Sequence, residues 1–344
     1  MNLNQILNKE ELSREEIFFL LSLKDNTDIE KLYSRADEIR KEYCGDEVHL
    51  RGIIEFSNYC DQNCLYCGLQ KSNKNIHRYR MTKDEIISTA GKITQAGIKT
   101  VVLQSGEDHF YSKSLVTDII LSIKEKFDPA ITLSIGERGK DEYEEWKNAG
   151  ADRYLLKHET ANEHLYSTYH QHEKLKSRLA HIQCLKKIGY QTGSGNIIGL
   201  PGQTTEDIAD DILLCKELDC DMCSFSPFIP SNDSPFRDIP AANVDLALKT
   251  NSVARIVLKN VHIPATTALS TLMSNGAEVG LKVGANVIMP NFTPFPYREN
   301  YKIYKNKKAY NPLVYLEEIK SMLDRIGRKV GEDKGHSLKL MVNQ

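Results

Sequence analysis

The chain has 344 residues, of which 40% are hydrophobic, enough apolar material for a globular core. Its formal net charge is −2 and its 27% charged residues are mixed in sign, so no basic excess points to nucleic acid. The amino-terminal stretch has no basic segment leading into a long apolar run, and the apolar run at 17–21 is too short to span a bilayer; no secretory signal or membrane span is expected, and the compartment is expected to be the cytoplasm.

In chain order, residues 1–44 read as a helical N-terminal extension in which Leu20, Leu21 and Leu23 serve packing. Residues 45–344 then read as one barrel with C-terminal helices. Apolar, β-branched runs fall at 48–56, 99–104, 130–135, 152–156, 192–198, 221–226, 261–266 and 285–289. Helix-like stretches fall at 82–96, 113–126, 140–149, 173–188, 204–218, 242–258, 271–282 and 314–326. Apolar strands alternating with helices imply parallel strands buried on both faces. Eight such units predict an α/β fold, a closed (β/α)8 TIM-type barrel; the alternative is six units with a separate C-terminal part.

In such a barrel the chemistry sits at the C-terminal ends of the strands. The cysteine-rich segment follows the first apolar run, Gln104-Ser105-Gly106-Glu107-Asp108 the second, and Ser134 ends the third. His158-Glu159-Thr160 follows the fourth, residues 195–202 close the fifth, and Ser226-Pro227-Phe228 the sixth. Thr266 and Thr267 end the seventh, and residues 291–301 follow the eighth. The polar and glycine-rich clusters therefore share one predicted face.

Of the eight cysteines, Cys60, Cys64 and Cys67 crowd into one short segment. In a reducing compartment, close thiols favour metal over a disulfide, and thiolates suit zinc and iron–sulfur clusters. A structural zinc site wants four protein ligands, and no fourth Cys or His is close by in sequence. A [4Fe–4S] cube on three cysteines leaves one iron open to a small chelating molecule, which the amino and carboxylate groups of S-adenosylmethionine (SAM) can be. Zinc, or three thiols merely packed in a loop, are the competing readings. The spacing C-x3-C-x2-C, with Tyr66 before the last cysteine, resembles the signature of the radical SAM superfamily.

That resemblance implies a [4Fe–4S] cluster on Cys60, Cys64 and Cys67, and SAM as the second cofactor, cleaved reductively to a 5′-deoxyadenosyl radical. It assigns cofactor contacts to Tyr66 and Gln104, and to Ser105, Gly106 and Glu107, whose backbone would approach the methionyl amino group. Ser134 and Glu159 would hold ribose hydroxyls, and Gly195 and Ile197 would line adenine. Arg178, by itself a surface helix charge, would pair with the SAM carboxylate, since a guanidinium fork fits a carboxylate. Gly202 stands where many members of the superfamily have Glu.

Longer strings resemble one family, the [FeFe]-hydrogenase maturase HydE. Among them are Arg78-Tyr79-Arg80-Met81-Thr82, Val102-Leu103-Gln104-Ser105-Gly106-Glu107 and His158-Glu159-Thr160-Ala161-Asn162. Gly199-Leu200-Pro201-Gly202-Gln203-Thr204 and Ile263-Pro264-Ala265-Thr266-Thr267-Ala268 continue the series, which runs in order from about 35 to 302. The resemblance implies a full barrel and a role in assembling the two-iron part of the hydrogenase H-cluster. The implied substrate is a small iron complex with carbonyl, cyanide and cysteine ligands, supplied by the maturase HydG. The adenosyl radical would add to the cysteine sulfur, the product would pass towards the maturase HydF, and ferredoxin or flavodoxin would supply electrons.

For such a substrate, Arg153, Thr266 and Thr267 are expected to form an anion-holding lining, with Met289 and Tyr301 closing the cavity. A structural ion pair for Arg153 and plain packing for Met289 are the alternatives. Residues 302–344 lack the extra cysteines some family members carry, so their accessory cluster is not expected. Cys220 and Cys223 are placed on opposite faces of the sixth strand by its period of two, and are read as packing residues along with Cys44, Cys184 and Cys215. The rival functions are methylornithine synthase, biotin synthase and a non-catalytic iron–sulfur assembly factor. Loop 228–240 is a candidate gate.

Overall fold

Each apolar run lies in a parallel ladder, and each amphipathic stretch is helical, in the computed structural model, which describes residues 1–171, 173–307 and 309–341. The strands are β1 (Glu47–Leu50), β2 (Gly52–Ser57), β3 (Thr100–Ser105), β4 (Ala130–Ser134), β5 (Arg153–Leu155), β6 (Gln191–Ile198), β7 (Met222–Pro227), β8 (Val287–Ile288) and β9 (Lys329–Val330). The amino-terminal helices are α1 (Leu3–Leu7), α2 (Arg14–Leu21) and α3 (Asn26–Cys44). Around the barrel follow α4 (Lys83–Gln95), α5 (Lys113–Phe127), α6 (Lys140–Asn148), α7 (Glu163–Tyr169), α8 (Leu175–Ile188), α9 (Thr205–Glu217) and α10 (Val244–Leu258). The last are α11 (Thr267–Leu272), α12 (Gly276–Lys282), α13 (Phe295–Arg298), α14 (Pro312–Arg325) and α15 (Leu338–Met341).

Helix starts are written in the sequence: Ser13 with Glu16, Thr82 with Glu85, and Thr204 with Asp207 form capping boxes that satisfy otherwise orphaned amides. Short helices escape the apolar periodicity, α7 among them. Asn162 caps α7, its side chain accepting from His164 N and Leu165 N, in seven residues too few to show a helical period. The stretch expected as one helix at 271–282 is two, because Thr266 caps a helix that starts earlier, at Thr267.

β2 to β7 pair in sequence order as a parallel sheet. The seventh barrel strand is a short ladder, Met222 bridging His262 and Pro264 bridging Val287. The chain at 286–291 then returns beside β1 and β2, with Arg51 N donating to Ile288 O at 3.0 Å and Ile53 N to Pro290 O at 2.9 Å. The barrel is therefore closed and eight-stranded, as expected, and a six-unit barrel with a separate C-terminal part does not describe it.

Residues 1–44 are helical, and Ile17, Leu20, Leu32 and Ile39 share one apolar cluster with the barrel strands and helices. At the other end, β9 pairs parallel with β1, and the chain then crosses the N-terminal mouth of the barrel. There Thr100 Oγ1 donates to Lys334 O at 2.9 Å, His262 Nε2 lies 2.9 Å from His336 O, and Ser337 N donates to Gln191 Oε1 at 2.8 Å.

Arg153 belongs to this closure, which corrects its expected place in the substrate lining. It is the first residue of β5, at the end of the strand remote from the cysteines. Its guanidinium donates to Lys334 O at 2.6 Å and Gly335 O at 2.7 Å, and Nε to Gln191 Oε1 at 3.2 Å. Its buried charge is met by carbonyl oxygens rather than by a ligand, and burial lowers its pKa to about 10.

Candidate active site

The cysteine segment leaves β2 and is held by its neighbours on every side. Arg78 spans it as a clasp: the guanidinium donates to Asn58 O, to Leu69 O at 3.0 Å, to Gln70 O at 2.7 Å and to Asn73 O at 3.2 Å. Leu65 N donates to Tyr169 O at 3.1 Å, Gly68 N to Ile303 O at 3.0 Å, and Asp61 N to Glu107 O at 2.9 Å. Tyr66 Oη and His170 Nε2 share a hydrogen bond of 2.8 Å. Gly106 permits the end of β3 to press on this loop, since a Cβ there would stand 2.2 Å from Tyr59 O and 2.7 Å from Cys60 Cβ.

The three sulfurs suit an iron cube. Glu107 N donates to Cys60 Sγ and Leu69 N to Cys67 Sγ, each at 3.4 Å, contacts that stabilise charge on a thiolate. Burial raises the pKa of all three thiols, that of Cys67 to about 12, and the neighbouring thiols add to it at Cys64 and Cys67. The loop is thus a poor home for free thiolates and a fitting one for thiolates compensated by iron.

Beside the loop the barrel encloses a cavity of about 360 Å³, within the range of small-molecule sites. Tyr66 and Cys67 form part of its wall, with Gln104 and Ser105 from β3 and Ser134 from β4. Glu159, Arg178 and Ile197 face it from the next two units, and Thr266, Thr267 and Met289 from the last two. The expected site residues on these strands thus share one space with Cys67. Gly195 lies in the wall of β6, where φ is +141° and a Cβ would stand 2.0 Å from Ser224 O. The Glu107 carboxylate is engaged, accepting from Gln62 Nε2 at 2.7 Å and Glu137 N at 2.9 Å, and its backbone N and O are met by Cys60 Sγ and Asp61 N. Tyr301 does not close the cavity with Met289: it is buried behind Gln104, whose Nε2 donates to its hydroxyl at 3.3 Å. Phe228 and Ile229, at the start of the candidate gate, line the cavity as well.

Glu159 is held in a left-handed conformation, φ +64°. Its backbone joins β6, Glu159 N donating to Gly195 O at 3.0 Å and Ile197 N to Glu159 O at 3.1 Å. Beneath it, His158 Nδ1 lies 2.9 Å from Ser194 Oγ, and the buried Asp211 accepts from Ala161 N and Asn196 Nδ2. The carboxylate projects into the cavity beside Lys157, 3.0 Å away.

Arg178 faces the cavity but is not free. Nε lies 2.8 Å from Glu137 Oε1 and a terminal nitrogen 2.9 Å from Glu173 Oε2, as a buried guanidinium requires. Glu137 has its pKa pushed up to about 7 by burial, with Glu173 and Glu107 adding to the rise and Arg178 opposing it. Glu55 and Lys307 form a further buried ion pair in the cavity, and Asn291 Nδ2 donates to Glu55 at 2.8 Å. Neither Glu137 nor this pair stood out in the sequence reading, although a carboxylate inside the apolar strand Gly52–Ser57 is a usable signal.

Residues 54–215 match the family model of the radical SAM superfamily. The chain is 47% identical over 331 residues to the [FeFe] hydrogenase maturase subunit HydE of Thermotoga maritima, covering 96% of this chain and 95% of that one. It is 28% identical over 280 residues to 3-methylornithine synthase of Methanosarcina acetivorans, covering 81% and 79% of the two. A crystal structure of methylornithine synthase superposes with a TM-score of 0.87 at 24% identity over 99% of both chains, a likeness of fold.

Proposed function

The chain belongs to the radical SAM superfamily and, within it, to the [FeFe]-hydrogenase maturase HydE family, and on that footing we propose that it modifies a small iron complex bearing carbonyl, cyanide and cysteine ligands during H-cluster assembly. The observation that carries this reading is the shared cavity: Cys67, the candidate SAM contacts and the Thr266–Thr267 edge line one space at the C-terminal mouth of the barrel. In a chain 47% identical to a HydE, that space is where a cluster, SAM and a third molecule would meet.

Cys60, Cys64 and Cys67 hold the [4Fe–4S] cluster in this proposal, and the Arg78 clasp fixes the loop that carries them. With the cluster and SAM bound, the chemistry supplied is reductive cleavage of SAM to a 5′-deoxyadenosyl radical that adds to the sulfur of the iron-bound cysteine. Glu159 and Ser134 orient the ribose, and Ile197 packs on adenine. Arg178 attracts the methionyl carboxylate, exchanging one of its two carboxylate partners for it. Thr266 and Thr267 donate hydrogen bonds to the cyanide end of the substrate, and the buried Glu55–Lys307 pair sets the polarity of the far wall. The donor of electrons would be a ferredoxin or flavodoxin, the supplier of substrate HydG and the receiver of product HydF. Thiolate ligands to iron call for a reducing compartment, the cytoplasm; among the described residues no helix is long and apolar enough to cross a membrane.

The test is maturation in a defined mixture. Apo-hydrogenase, HydF and a synthetic iron–carbonyl–cyanide–cysteine complex are combined with this protein, SAM and reductant. The proposal expects hydrogenase activity that depends on this chain, and a mass-spectrometric adduct of the adenosyl group on cysteine sulfur. Cleavage of SAM with neither activity nor adduct would leave the superfamily chemistry standing and reject the substrate.

A further inference from the structure

A second group of thiols takes no part in the chemistry above. Cys215 lies in the last turn of α9, Cys220 in the turn that follows and Cys223 on β7. The turn doubles back, with Cys220 N donating to Cys215 O at 3.2 Å and Asp219 at φ +47°. Cys220 therefore precedes the strand, which begins at Met222, and the alternation expected to separate it from Cys223 does not reach it. All three are at most 1% exposed, and their Sγ atoms lie within 4.8 Å of one another.

We propose that Cys215, Cys220 and Cys223 form a second metal site, which takes a single thiophilic cation, zinc(II) or copper(I). The size of the triangle carries the argument. Thiolates about 2.3 Å from one ion stand about 3.8 Å from each other at a tetrahedral angle, a span these sulfurs reach with a small contraction. An iron–sulfur cube spreads its thiolates over separate irons and needs more room. The two triads differ in that sense, for among the described residues Cys60, Cys64 and Cys67 do not gather within 4.8 Å of one another.

The surroundings point the same way. Lys339 Nζ donates to Cys220 O at 2.8 Å, placing a cation beside the sulfurs, and the fully buried Arg255 acts electrostatically on Cys223 as well as on Cys44. His158, fully buried, is turned to other partners, with Nδ1 2.9 Å from Ser194 Oγ and Nε2 3.5 Å from Asp211 Oδ1. Zinc would complete its coordination with a water molecule. Copper(I) is satisfied by three sulfurs. A metal here would tie the end of α9 to the wall of the barrel.

The test uses the holoenzyme, with its cluster already reconstituted so that Cys60, Cys64 and Cys67 are occupied. One sample is offered zinc(II) alone and another copper(I) alone, each is desalted, and metal and iron are counted per chain. The proposal expects one zinc or one copper retained at unchanged iron, and its loss in Cys220→Ala and in Cys215→Ala. Which of the two samples retains its metal identifies zinc or copper as the cation the site takes. Because buried variants can misfold, metal-edge X-ray absorption of the loaded wild type gives a second reading, three sulfur scatterers at about 2.3 Å. No retained metal in either sample, or retention unaffected by both cysteine variants, overturns the proposal. So does extra iron lost with Cys220→Ala, or two of these thiols missing from a denatured thiol count.

Discussion

Glu159 holds φ +64°, a left-handed conformation that costs a non-glycine residue about 1 kcal/mol. Strain of this kind is kept where a side chain is needed, and here it points a carboxylate into the cavity. Glu159→Gly should therefore melt at or slightly above the wild-type temperature while the SAM concentration for half-maximal 5′-deoxyadenosine release rises about tenfold or more, in line with losing a charge-assisted hydrogen bond. A lower melting temperature with unchanged SAM dependence would make the residue structural. Glu137 gives a pH prediction. Its folded pKa of about 7 lies above the ordinary 4.5, so its contribution to stability is fully present below about 4.5 and is lost as pH rises through 7. Urea melts of wild type should show this decline, of order 1–3 kcal/mol, and Glu137→Gln should remove it. A wild-type slope that survives in Glu137→Gln would assign the titration elsewhere. The cysteine loop stood out in the sequence because its spacing is local. Arg178 was legible as a cavity residue but not in its pairing with Glu137 and Glu173, which only the fold brings together. Cys220 was misplaced for a local reason: it sits in the turn two residues before the strand starts at Met222.

Among the elements, the strands and most helices followed from composition and period. The exceptions lie where a short cap or a long-range contact decides. Asn162 makes α7 by capping it, and the short 262–264 ladder persists because both neighbours accept and donate along it. The segment 331–337 has no pattern of its own, yet it closes the barrel floor by bonding to Thr100, Arg153, Gln191 and His262. Arg153, read from its strand as a substrate residue, points to this floor because it opens β5 rather than ending it. Arg153→Met should cost about 2–4 kcal/mol in urea unfolding, through the carbonyl groups left unpaired, with SAM cleavage per folded molecule unchanged. Unchanged stability with impaired turnover would return Arg153 to the cavity.

At the scale of the molecule, the closed barrel puts every strand end on one rim, which is why polar clusters scattered over some 240 residues of sequence meet around one cavity. The C-x3-C-x2-C loop sits on that rim, clasped by Arg78 and backed by Glu107, and the candidate SAM contacts follow it strand by strand. The central claim is that this rim assembles a SAM-responsive iron–sulfur centre. The most direct measurement is electron paramagnetic resonance of the anaerobically reconstituted, reduced protein with and without SAM, alongside 5′-deoxyadenosine release. The expected result is a [4Fe–4S]⁺ signal that shifts on adding SAM, accompanies 5′-deoxyadenosine formation and disappears in Cys64→Ala. A cluster whose signal ignores SAM, or one that survives loss of Cys64 unchanged, would contradict it.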